Sequence, residues 1–200
     1  MHPLRCALTL PLLLLVSPTR AVDYQGDIQS ILKEHCWDCH SNEKEAKGDL
    51  AFDDKEDLAK SHINPVGLIR PGDPEKSDFL ARLKLDEEDD DFMPRKGKPL
   101  RSSELAKIEQ WIREGALIDA ANPTETEKGR MEEVKLANAR SGGDVYFQWT
   151  NTQGKVIEAK YAGLEGESVK ITMKTGKSFL VPLNSLSAES AALARKLGGK

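Results

Sequence analysis

Cys36-Trp37-Asp38-Cys39-His40 combines residue types and spacing that define a chemistry. Two thiols three positions apart, with a histidine directly after the second, form the C-x-x-C-H pattern of c-type haem attachment. Each thiol adds across one vinyl group of the porphyrin to give a thioether. The two intervening residues set the sulfur separation to span both vinyls. His40 then supplies the proximal nitrogen to the iron. One covalent haem c on Cys36 and Cys39 is expected, and the chemistry is then mostly that of the cofactor.

Three other chemistries compete for the same residues. A zinc site needs two further ligands. Beyond the N-terminal 21 residues the chain offers no other cysteine and only His35 and His62 as further histidines. His35 directly precedes Cys36, an awkward placement for a tetrahedron. A thioredoxin-type dithiol lacks the surrounding βαβ pattern. A structural disulfide is the third alternative.

The sixth position on the iron can go to methionine, histidine, water or substrate. Met93 is the preferred candidate, 53 residues after His40 in Phe92-Met93-Pro94. Pro94 biases residue 93 to an extended backbone, which suits a loop pressing a thioether onto a metal. The competing role for any methionine is gap filling in a core. Met131 lies in a polar stretch and Met173 in a strand pattern, and His62 is the main rival. A His40/Met93 pair saturates the iron and favours passage of single electrons.

These residues need elements to hold them. Ile28, Ile31, Leu32 and His35 recur at helical spacing and lead straight into the cysteines. Lys47-Gly48-Asp49, Asn64-Pro65 and Pro71-Gly72-Asp73-Pro74 mark turns. A carbonyl near Pro71 is a candidate acceptor for the far nitrogen of His40. Ser77 is placed to cap a short helix burying Phe79, Leu80 and Leu83. A last helix starts at Ser102 or Ser103, buries Leu105, Ile108, Trp111 and Ile112, and stops at Gly115. Trp111 reads first as a core contact between that helix and the one before the cysteines. Residues 121–143 read as a polar linker, helical in part.

From residue 144 the period changes to two. Tyr146, Phe147 and Trp149, then Ile157, Ala159 and Tyr161, then Val169, Ile171 and Met173, then Phe179 and Val181 mark four strands with tight turns between them. A small β-barrel is expected, followed by a final short helix capped by Ser187. The expected fold class is an all-α domain over 22–120, a linker over 121–143, and a small β-barrel over 144–200.

Composition bounds the rest. Hydrophobic residues make up 38 % and charged residues 31 %, as suits a soluble protein. His2 and Arg5, an apolar run over 7–16 and Thr19-Arg20-Ala21 read as a signal peptide over residues 1–21. The run is too short for a membrane span, so export to the periplasm or cell exterior is expected, with no transmembrane segment in the mature protein. Residues 22–120 carry 24 acids and 15 bases, and 121–200 carry 9 acids and 12 bases. The acidic front half argues against nucleic acid and favours a basic redox partner protein. The acidic run over 86–91 is a candidate docking element. Arg95, Lys96, Lys98 and Arg101 follow it and make the local field dipolar.

Residues 23–116 resemble the planctomycete-type cytochrome c domain. The resemblance rests on Asp27-Ile28, Ile31-Leu32, the C-x-x-C-H motif, Gly48-Asp49-Leu50, Pro71-Gly72-Asp73-Pro74 with Ser77, Met93-Pro94, Trp111-Ile112 and Gly115-Ala116. It implies a class I-like helical fold, with His40 and Met93 as axial ligands. Residues 145–197 resemble the SLA-one homology domain, an SH3-like barrel, through Trp149-Thr150, Gly154-Lys155, Glu158-Ala159, Val169, Ile171, Gly176-Lys177, Val181-Pro182-Leu183 and Leu186-Ser187. That likeness implies a barrel with a peptide or protein ligand. The expected function is an exported monohaem electron carrier and not an enzyme. A haem-based sensor with a displaceable sixth ligand is the alternative. A peroxidase is disfavoured because such enzymes generally use two haem motifs.

Overall fold

Tyr24, Ile28, Leu32 and Cys36 stand four residues apart and form one buried row. In a helix that spacing places side chains on a single face. The row runs through a wide turn at Tyr24–Ile28 and helix α1 at Gln29–His35. The computed structural model describes residues 21–199. The expected leader therefore lies outside the described residues, apart from Ala21. No helix among the described residues is long and apolar enough to cross a membrane.

Around this row the chain builds a helical core. Short helix α2 at Lys55–Asp57 runs on into a wider turn at Leu58–His62. Helix α3 at Asp78–Leu83 buries Phe79, Leu80 and Leu83, as its periodicity predicts. Helix α4 at Ser102–Arg113 buries Ile108, Trp111 and Ile112. Trp111 is fully buried, packs 5.9 Å from the Tyr24 ring, and donates from Nε1 to the Leu117 carbonyl at 2.8 Å. Tyr24 N–H donates to the same carbonyl at 2.8 Å, so α4 and the start of the domain are clipped together. Ser77 differs from its expected role. Its hydroxyl makes no cap bond but donates to the Asp73 carbonyl and accepts from Arg70 N–H. Its side chain therefore closes the Pro71–Ser77 loop, while its carbonyl accepts the first bond of α3 from Ala81 N–H at 3.0 Å.

Helix α5 at Glu125–Arg140 opens with a capping box between Thr124 and Glu127. Its two ends face different cores. Arg130 donates to the Ile63 carbonyl at 3.0 Å, and Glu127 accepts from Ile118 N–H at 2.6 Å. Leu136 and Ala139, further along, belong to the second core.

The second core lies under a four-stranded antiparallel sheet in the order β1-β2-β3-β4. The strands are β1 at Tyr146–Thr150, β2 at Val156–Glu165, β3 at Ser168–Met173 and β4 at Ser178–Pro182. Phe147, Trp149, Ala159, Val169 and Ile171 point into this core, as the alternation predicts. Helix α6 at Ala188–Leu197 follows the sheet and buries Ala191, Ala194 and Leu197. Ser187 caps it by accepting from Ser190 N–H.

The expected closed barrel is not formed. β1 and β4 are the two edges and do not pair with each other. The chain leaves β4 at Pro182, takes a tight turn at Leu183–Ser185, and meets the end of β1 through a single bridge between Asn151 and Leu186. Helices α5 and α6 cover the sheet where a barrel would use its own strands. Phe179 and Leu180 on edge strand β4 stay exposed at 45 % and 56 %.

Candidate functional site

The cysteines and His40 sit on one tight turn directly after α1. Cys36 N–H still donates to the Leu32 carbonyl at 2.8 Å. Cys39 N–H and His40 N–H then both donate to the Cys36 carbonyl, at 3.1 and 2.9 Å. The helix therefore tightens into a single turn that carries all three side chains. Both thiols are free, with Cys36 buried and Cys39 half-buried. Burial, with Cys39 beside it, pushes the Cys36 thiol up to about 12. This pair is not a disulfide in the chain as folded.

The loop after the motif folds back onto it. Lys47 N–H donates to the Cys39 carbonyl at 2.9 Å, and the Lys47 carbonyl accepts from His40 Nδ1 at 3.0 Å. A carbonyl can only accept, so Nδ1 carries the proton and Nε2 carries the lone pair. Among the described residues Nε2 makes no hydrogen bond. The expected acceptor near Pro71 is thus replaced by Lys47. Lys47-Gly48-Asp49 is legible in the sequence as a turn, but a backbone carbonyl in it carries no sequence signal as a partner of His40. Gly48 makes the turn possible with φ +66°, a conformation that costs a side chain energy.

Phe52 holds the other side. Its N–H donates to the His40 carbonyl at 2.9 Å, and its carbonyl accepts from the buried Tyr24 hydroxyl. Its ring meets the His40 ring edge-on at 6.0 Å. The imidazole is thus held by a hydrogen bond at Nδ1, an aromatic edge and a pinned main chain, with Nε2 left available. This donor set suits a c-type haem: two thiols for thioethers and an imidazole already in its metal-binding tautomer.

Met93 is half-buried and packs against the same hydrophobic core that contains Cys36. Its N–H donates to the Arg82 carbonyl at 3.1 Å, and Phe92 beside it is buried. His62, the rival ligand, has Nε2 3.2 Å from the Asp49 carbonyl and 3.4 Å from an Asp57 carboxylate oxygen. Its Nε2 is therefore a donor engaged within the protein. The acidic run over 86–91 is exposed throughout, tied down by Arg82 to Asp91 at 2.9 Å.

No curated protein and no solved structure matches the chain. Residues 36–97, which include both cysteines, His40, the Lys47 turn and Met93, match the model of the planctomycete cytochrome c family, and that likeness indicates a haem-binding electron carrier.

Proposed function

We propose that the chain is an exported monohaem c-type cytochrome that passes single electrons. Haem is joined to Cys36 and Cys39, with His40 as proximal ligand and Met93 as distal ligand. Haem supplies a one-electron couple, and the residues of this chain decide how that couple is held. The observation that carries the reading is the His40 tautomer set by Lys47 on the turn that presents both thiols.

The protein's part is positioning. Lys47 keeps the proton on Nδ1 and leaves Nε2 for the metal. The hydrogen bond makes the imidazole more electron-rich. Phe52 and Tyr24 keep His40 from shifting, so little rearrangement accompanies a change of charge. The Met93 thioether is soft and polarisable, and a His/Met pair favours a higher potential than a second histidine. Cys36 belongs to a buried apolar core that backs the site on one side.

The exposed acidic run over 86–91 supports docking of a basic redox partner, and the exposed Phe179 and Leu180 on edge strand β4 support binding of a further protein or peptide there. The C-terminal part acts as a docking module on this reading. Redox titration of the mature chain tests the carrier role. One electron per chain, fully reversible, with no ready spectral response to carbon monoxide, is the expected result. Ready carbon monoxide binding at the reduced iron identifies a sensor-type open site instead.

A further inference from the structure

Glu34 and His35 end α1 just before the cysteines, and Glu104 lies in the first turn of α4. One ligand atom from each of the three lies within 4.8 Å of the others. We propose that Glu34, His35 and Glu104 bind one divalent transition-metal ion of the zinc class. The proposal is separate from the haem reading and does not depend on it.

The His35 ring is the decisive group. Its side chain is 10 % exposed, and its buried Nε2 has no hydrogen-bond partner. Nδ1 lies 3.3 Å from the Lys98 carbonyl, which can only accept, so Nδ1 is the donor. Nε2 faces an anionic oxygen of Glu104 across a buried gap of 3.5 Å. A metal ion between this nitrogen and this oxygen serves the contact as a proton would, and it also takes Glu34 as a third donor. The spacing suits a metal. Zinc bonds of about 2.0–2.2 Å to nitrogen and oxygen, at a tetrahedral angle, put the two ligand atoms about 3.3–3.5 Å apart.

Glu104 is prepared for this role. It is buried, and its carboxylate already accepts from the N–H and the guanidinium of Arg101. The Arg101 guanidinium first, then its main-chain N–H, hold the carboxyl below the usual carboxylate range against the opposing effect of burial. The Oε2 that faces His35 keeps a lone pair after its bond to Arg101 N–H. Glu34 is exposed and closes the site from the solvent side. Two carboxylates and one imidazole form a borderline-hard donor set. Water fills the fourth position.

The test is calorimetric titration of the full mature chain with zinc chloride after chelator treatment, with any free thiols alkylated so that Cys36 and Cys39 cannot take part. One zinc per chain is expected, with an absorption-edge spectrum showing one imidazole, oxygen neighbours and no sulfur. His35→Asn should abolish binding. Glu34→Gln, at an exposed position that leaves the core intact, should weaken it at least about tenfold, since even outer-shell partners contribute that much. An absence of binding overturns the proposal. So does binding that both variants leave unchanged, which marks scattered surface carboxylates.

Discussion

His40 and Lys47 are joined twice over a seven-residue loop: the Lys47 carbonyl accepts from His40 Nδ1 at 3.0 Å, and Lys47 N–H reaches back to the carbonyl preceding His40 at 2.9 Å. The loop thereby sets the ring's tautomer and its orientation together. Neither bond uses the Lys47 side chain, so replacing that side chain leaves the function of the position intact.

Gly48 is the point where this loop can be broken. It has φ +66° with no atom near enough to contact an added Cβ, so only backbone conformation is at stake. A β-branched residue there costs about 1–2 kcal/mol. Gly48→Val should lower stability by that amount and raise the midpoint potential, because His40 loses its acceptor and becomes a poorer electron donor. Denaturant unfolding and redox potentiometry read the two effects. An unchanged potential in the folded variant removes Lys47 from the account.

Met93 and His62 make opposite predictions. Met93→Ala should abolish the weak methionine–iron band in the far red and lower the potential. His62→Ala should leave the spectrum intact and cost about 1 kcal/mol, through loss of its contacts to Asp49 and Asp57. If the two spectra are exchanged, the distal ligand is His62.

Tyr24→Phe removes the donor to the Phe52 carbonyl and leaves that oxygen buried and unpaired. The cost should be about 1–3 kcal/mol, read as a lower denaturation midpoint. Covalent haem content should not change, because Tyr24 acts on the main chain behind His40 and not on the thiols.

Acid should undo the joint at α5. Burial raises the Glu127 carboxyl, but the N–H groups of Ile118 and Thr124, the Thr124 hydroxyl and Arg130 outweigh it, so the group lies below its ordinary value. A carboxyl depressed in the folded state adds stability above its unfolded value of 4.5, and that stability fades as the pH falls through the folded value. Glu127→Gln should reduce the thermal midpoint at neutral pH and flatten its decline below about pH 4.5. Parallel acid limbs for the two proteins contradict this role.

The haem motif is readable in the sequence because its chemistry is local: five consecutive residues carry both thiols and the imidazole. The helical faces of α1, α3 and α4 are readable for a similar reason, since Leu32, Phe79, Leu80, Ile108 and Trp111 repeat at helical spacing. The acceptor for His40 is not, because a backbone carbonyl has no side-chain identity and any turn nearby is a candidate. Strand alternation identifies β1 to β4 but says nothing of closure. Whether the first and last strands pair depends on how the chain leaves Pro182, which is set by distant contacts. The polar composition of α5 hides Leu136 and Ala139, although Thr124 and Glu127 at capping-box spacing mark where that helix begins.

The electron-carrier role proposed for this chain depends on covalent haem held by Cys36 and Cys39. Intact-mass measurement of the mature chain, produced with haem-maturation machinery and denatured before analysis, tests it most directly. The expected result is one haem added per chain, retained on a denaturing gel and lost when Cys36→Ser and Cys39→Ser are combined. A chain that carries no added haem after denaturation, or that keeps it in the double variant, contradicts the account.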